Sequence, residues 1–187
     1  MKKILSVLLA VLMLFTAVSF SASAANDSDV ARMWLCSEKS NNSGVGHIFL
    51  YFENLTGKTI TVGKYKVEPY GDVSVGCFGS EGPKGAGVYY NLETELKHYS
   101  QLIALSTELT EKELSAVTKK IKSFDRWDPI FNCNYFALRA WNAGADSSIP
   151  FLIFPQLTRF FVRLKGGISN PFDIDSRNVV VYKQSKM

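Results

Sequence analysis

Cys133 and His47 are the two residues of this chain whose types and settings could do covalent chemistry. Cys133 opens the stretch Asn132-Cys133-Asn134-Tyr135-Phe136-Ala137, and the apolar spacing behind it predicts a helix to about Ala143, stopped by Gly144. A thiol in the first turn of a helix sits at the positive end of the macrodipole, where the thiolate is favoured and its pKa falls. His47 lies far upstream on a predicted strand. An imidazole within reach of such a thiol completes the minimum apparatus for nucleophilic catalysis. Each residue also has a plainer reading. Cysteine is among the most buried residue types, so Cys133 can be a core residue or a disulfide partner. His47 shares a strand side with Phe49 and Tyr51, the setting of a core histidine. The two observations strengthen each other, because each residue supplies what the other lacks.

Other chemistries fit less well. The two histidines and three cysteines are far apart and lack Cys-x-x-Cys or His-x-x-x-His spacing, so neither a metal nor another cofactor is expected. Serine catalysis would need a Gly-x-Ser-x-Gly elbow, which is missing. Gly82-Pro83-Lys84-Gly85 lacks phosphate-loop spacing and reads as loop. His98 follows a predicted short helix, Leu92 to Lys97, in a polar neighbourhood and is expected to be solvated.

The elements that must position the pair follow from patterning. Lys2 and Lys3, the apolar run from Ile4 to Phe20 and the small residues Ala22-Ser23-Ala24 form the pattern of a secretory signal peptide, with cleavage expected near Ala24. A retained membrane anchor is the alternative reading of that run. Residues 25–187 are then expected to form one secreted domain. Without Lys2 and Lys3 the net charge of +4 becomes +2, too mild and too dispersed for a nucleic-acid binder.

Strands are expected at Val30 to Cys36, Gly46 to Glu53, Asp72 to Phe78, Gly87 to Tyr90, Gln101 to Leu105 and Val179 to Tyr182. Asn54-Leu55-Thr56-Gly57 reads as a turn returning the second of these through Lys58 to Val62 as a hairpin. Thr110-Glu111-Lys112-Glu113 is a capping box, and Leu114, Val117, Ile121 and Phe124 behind it form a helical apolar stripe. A last helix starts at Pro155, with Leu157, Phe160, Phe161 and Leu164 expected in the core and Arg159, Arg163 and Lys165 opposite; contact of this helix with a membrane surface, as in lipid acyltransfer, is the alternative. Membrane association after signal cleavage is not expected. The sum is an α+β domain, an antiparallel sheet packed against helices. Of the remaining cysteines, Cys36 and Cys77 fall in strands and are expected either to pair or to be buried as small apolar residues, leaving Cys133 free.

The order of these elements, histidine on an early strand and cysteine opening a late helix, is the reverse of the papain order. It resembles the circularly permuted papain-like folds, which include permuted NlpC-type peptidases and lecithin retinol acyltransferase-like enzymes. More closely, the chain is similar to a group of small secreted bacterial proteins. The likeness rests on Gly46-His47-Ile48-Phe49, Gly57 to Gly63, Val75-Gly76, Val88 to Glu93, Asp125-Arg126-Trp127, Asn132 to Ala137 and Trp141-Asn142. The resemblance implies Cys133 as nucleophile and His47 as base and later acid. It also implies a third polar residue orienting the histidine, for which Asn91 comes first, then Thr61 and Glu53. The Cys133 amide is an expected oxyanion donor, with Asn132 or Asn134 adding a side-chain donor. The implied activity is hydrolysis or transfer at an amide or ester, with peptide or acyl substrates and cell-wall peptides foremost. The rival is a secreted, non-catalytic binding domain on an inactive papain-like fold.

Overall fold

The computed structural model describes residues 29–39, 46–80, 82–95, 101–124, 126–152, 154–172 and 180–184. The expected signal peptide with its cleavage site, His98, Asp125 and Val179 lie outside them. In chain order the elements are β1 (Asp29–Glu38), β2 (His47–Asn54), β3 (Ile60–Val62), β4 (Tyr65–Val67), β5 (Asp72–Phe78), β6 (Gly87–Tyr90), α1 (Leu92–Glu95) and β7 (Leu102–Thr110). They continue with α2 (Glu111–Lys122), α3 (Cys133–Gly144), α4 (Pro155–Leu164), β8 (Ile168–Ser169) and β9 (Tyr182–Lys183). The class is α+β: seven strands form one antiparallel sheet in the order β8-β7-β1-β2-β5-β6-β9, with helices packed on it.

Alternation along the strands assigns the two faces. On one face Met33, Leu35, Ile48, Leu50, Phe52, Val73 and Val75 meet the apolar stripes of α2 and α3, and this is the main core. On the other, Trp34, Cys36, Phe49 and Tyr51 form a smaller cluster with Leu102, Ala104 and Phe172. Both faces are covered, which is why β1 and β2 read as nearly continuous apolar runs. Cys36 and Cys77 are buried and form no disulfide with each other, so of the two expectations for them burial is the one observed.

Local signals explain the helix ends. The Thr110 hydroxyl accepts from the Glu113 amide, and the Glu113 carboxylate accepts from the Thr110 amide at 2.9 Å, starting α2 as the capping box predicts. Asn132 caps α3, its Oδ1 accepting from the amides of Asn134 and Tyr135 at 3.0 and 3.2 Å.

Two expectations are corrected. Lys58 to Val62 does not return along β2. The side chain of Asn54 instead donates to the carbonyls of Lys58, Val67 and Glu68 and accepts from the Thr56 amide, knitting a local loop. β3 then pairs with β4 as a separate ribbon, across a turn at Gly63-Lys64 where Gly63 has φ +58°. A Cβ at Gly63 would also lie 2.1 Å from the Tyr90 hydroxyl, so glycine is required there twice over. β2 is thereby left to pair with β1 and β5. The second correction concerns α4. Pro155, Thr158 and Val162 face inward, whereas Leu157, Phe160 and Leu164 are exposed and only Phe161 of the expected stripe packs on the core.

Thr110→Ala removes the hydroxyl half of the α2 cap and leaves the amide of residue 110 on the Glu113 carboxylate. It is expected to lower unfolding stability by about 1 kcal/mol with an unchanged denaturant slope, read from urea titrations followed by circular dichroism.

Candidate active site

His47 is the first residue of β2 and lies directly across from Glu38, the last residue of β1. The ring is therefore held at the end of a central strand pair, on the face that carries Phe49 and Tyr51. It stacks on Phe49 at 5.7 Å between centroids and lies against Phe78 at 4.7 Å. Two apolar rings fix its plane, and its side chain stays 20% exposed.

Cys133 enters from the other direction, as the first residue of α3. This helix packs on β2 and β5 through Phe136, Ala137 and Ala140, and that docking brings its N-terminus to the strand end where His47 begins. The Cys133 sulfur lies close enough to the His47 ring and to the backbone amides of Ile48 and Asn134 for each of them to favour its thiolate. The structure thus brings together the two residues singled out in the sequence.

The third member of the cluster is Glu93, on α1. Its Oε1 lies 3.4 Å from His47 Nε2, its Oε2 accepts from the Ser74 hydroxyl at 2.8 Å, and its side chain is fully buried. Thr94 extends the network with its hydroxyl 3.5 Å from that of Ser74. Gly76 on β5 makes the space: a Cβ there would lie 1.7 Å from Glu93 Oε1. Asn91 supplies the bend that delivers the carboxylate. It adopts φ +62°, a region that asparagine tolerates better than most residues, and so turns the chain sharply from β6 into α1.

The residues expected to orient the histidine do other work. The Asn91 side chain donates to the Tyr65 hydroxyl at 3.2 Å. Thr61 sits in the β3–β4 ribbon, where its carbonyl accepts from the Thr118 hydroxyl. Glu53 accepts from Trp34 Nε1 at 2.8 Å and pairs with Arg32, which also holds Glu108. Glu93 was hard to see because its relation to His47 is entirely non-local and Leu92-Glu93-Thr94 looks like any polar helix start. The one sequence signal was Gly76 in mid-strand, a position where glycine marks a close approach. The two asparagines beside Cys133 are likewise engaged by the scaffold. Asn132 Nδ2 donates to the Pro129 carbonyl at 3.0 Å and Asn134 Nδ2 to that of Leu152.

The electrostatics favour a separated proton. Burial works against the Cys133 thiolate, but the bond to His47, the charge of that ring and the amides of Ile48 and Asn134 together bring its pKa below the ordinary thiol value. Burial also works against the charged ring of His47. Cys133 first, and Glu93 second, overcome that penalty and push its pKa up to about 10. Both shifts favour a thiolate beside an imidazolium, the form in which a cysteine can act as a nucleophile. Cys36, by contrast, is pushed well up by burial and then by the nearby Glu93 charge, and is an inert thiol.

The chain was compared with protein-family models, curated proteins and solved structures. It matches none of them. What can be said of its chemistry rests on the site itself.

Alkylation of Cys133 by iodoacetamide, followed by mass spectrometry, is expected to run at pH values below the ordinary thiol range. The thiolate is present above the lowered pKa of Cys133, so the rate falls only on acidification through that value. Glu93→Gln removes the charge that holds up the His47 pKa, which weakens the imidazolium beside the sulfur. The alkylation midpoint should then rise. Gly76→Ala, which displaces Glu93, should raise it in the same direction. An unmoved midpoint in both variants would remove Glu93 from the cluster.

Proposed function

We propose that this protein is a thiol hydrolase or acyltransferase acting on amide or ester bonds, with a permuted papain-like arrangement of its site. The observation that carries the reading is the convergence of Cys133, His47 and the buried Glu93, drawn from α3, β2 and α1. Their chain order, histidine before carboxylate before cysteine, is a cyclic permutation of the papain order of cysteine, histidine and a third polar residue.

The roles follow from the geometry. The Cys133 thiolate attacks the carbonyl carbon, forming the S–C bond while the carbonyl electron pair moves onto oxygen. The Cys133 amide heads the helix, where the first four N–H groups have no intrahelical acceptor, so it is placed to receive that oxyanion. His47 gives its proton to the leaving nitrogen or oxygen as the C–N or C–O bond breaks, leaving a thioester. It then takes a proton from water, or from an acceptor amine or alcohol, which releases the acyl group and restores the thiol pair. Because Nε2 faces Glu93, Nδ1 is the nitrogen available to sulfur and substrate. Glu93 holds the ring in that orientation and favours its charged form.

The substrate class is a peptide or acyl compound. Secretion, proposed from the signal-peptide pattern, makes cell-wall peptides the first to test. That step rests on analogy with the permuted papain-like enzymes.

A panel of activated esters and peptide amides is the direct test. Acylated Cys133 should be visible by intact mass, and Cys133→Ser should abolish both adduct and turnover. His47→Ala is expected to lower kcat/KM by about 10²–10⁴-fold. A pH profile of kcat/KM should be bell-shaped, its alkaline limb set by His47 and shifted down by Glu93→Gln. A native protein that labels at Cys133 but forms no acyl adduct with any member would favour the rival, a binding domain on an inactive fold.

A further inference from the structure

α4 carries an apolar face that no other element covers among the described residues. Phe154, Leu157, Phe160 and Leu164 are 60%, 46%, 58% and 69% exposed, and Phe151, just ahead of the helix, is 58% exposed. At about 100° per residue Leu157, Phe160 and Leu164 fall in one sector, away from the inward-facing Pro155, Thr158 and Val162, and Phe154 caps the helix beside them. A contiguous exposed apolar face of this size on a soluble domain marks a contact surface.

We propose that this face docks the protein on the surface of an anionic lipid bilayer. Charge selects this occupant. From Ser147 to Phe172 the sequence holds no Asp or Glu, while it holds Arg159, Arg163 and Lys165. Arg163 and Lys165 flank the apolar sector on its two sides. That is the composition of an interfacial helix, with apolar side chains entering the acyl boundary and cations meeting phosphates. A second copy of the chain fits poorly, since a two-fold contact through α4 would set these cations against their own copies with no acid between them. The face is also a single convex helix with side chains pointing outward, so it offers no groove to a peptide.

The same helix is fastened to the candidate site. Arg159 Nη1 donates to the Ser37 carbonyl at 2.5 Å, one residue from Glu38, which lies opposite His47. The Pro155 Cβ lies where it would be 3.9 Å from a Cβ on Gly46, the residue before His47. Asn134, next to Cys133, holds the Leu152 carbonyl. Docking through α4 would therefore fix the candidate site beside the docked helix. The inference rests on the surface of α4 and stands independently of the thiol chemistry.

The test uses the chain from Ala25, which carries every described strand and helix, in flotation with vesicles of phosphatidylcholine alone or mixed with phosphatidylglycerol. Binding is expected to the mixed vesicles, to weaken as salt rises, and to fall roughly tenfold in the double variant Phe160→Ser, Leu164→Ser. Arg163→Glu should lose the preference for the anionic vesicles. All three positions are exposed, and Cys133 alkylation checks that each variant is folded. Cys133→Ser should float like the wild type, so failure of the hydrolase reading leaves this result standing. Two results would overturn the proposal: no binding by the wild type, or equal binding by the double variant. Self-association in the absence of lipid, seen by light scattering and lost in the double variant, would overturn it too by assigning the face to a second copy.

Discussion

A carboxylate removed from water has to be held by donors, and at Glu93 those donors are the hydroxyl of Ser74 and the ring of His47. An isolated buried charge costs several kcal/mol, so Glu93 is tolerated only while both partners stay in place. The constraint spreads outward from there. Ser74 must lie on the face of β5 that looks toward His47, which the pairing of Ser74 with Tyr51 ensures. Position 76 must be glycine, and the chain must bend through the left-handed region at Asn91. Three otherwise unrelated local features have one cause.

The other half of the site depends on helix docking. α3 is capped by Asn132, aimed by the packing of Phe136, Ala137 and Ala140, and closed at Gly144, where a Cβ would lie 2.5 Å from Val117 Cγ2 of α2. Close packing of α2 and α3 fixes how far Cys133 projects past the sheet. A first-turn cysteine that stopped short of the strand end would meet neither the Ile48 amide nor the imidazole. The helix dipole, the strand-end amide and the ring act on one sulfur because two rigid elements end at one place.

Much of this was legible in the sequence where the signal is local. The capping box at Thr110, the start of α3 at Asn132-Cys133, its stop at Gly144 and the strands around Trp34, His47 and Val75 all depend on residues a few positions apart. The misreadings came where a distant partner decides. Asn54 looks like a hairpin turn, yet its side chain binds the carbonyls of Val67 and Glu68, more than a dozen residues on, and sends Lys58 to Val62 elsewhere. Leu157, Phe160 and Leu164 have the period of a core face, but period cannot say which of two faces a helix turns inward. Thr158 and Val162 face the sheet instead. Glu93 was hidden for the same reason, its meaning supplied by Gly76 and His47 across the fold.

The strand order has a consequence for how the molecule comes into being. β1 lies between β2, its near neighbour in sequence, and β7, so that Trp34 pairs with Ser106 across 72 residues. Contacts of such long range are slow to form, because loop closure must be achieved before the pairing rewards it. The groups outside its own helix that acidify Cys133, the His47 ring and the Ile48 amide, arrive by the same long-range route. Early in folding the sulfur has at most the partial charge of its own helix end, and it is close to an ordinary thiol. The acidity of Cys133 is thus a property of the finished topology rather than of the six-residue stretch around it. A chain caught half-folded would carry the thiol without its acidity.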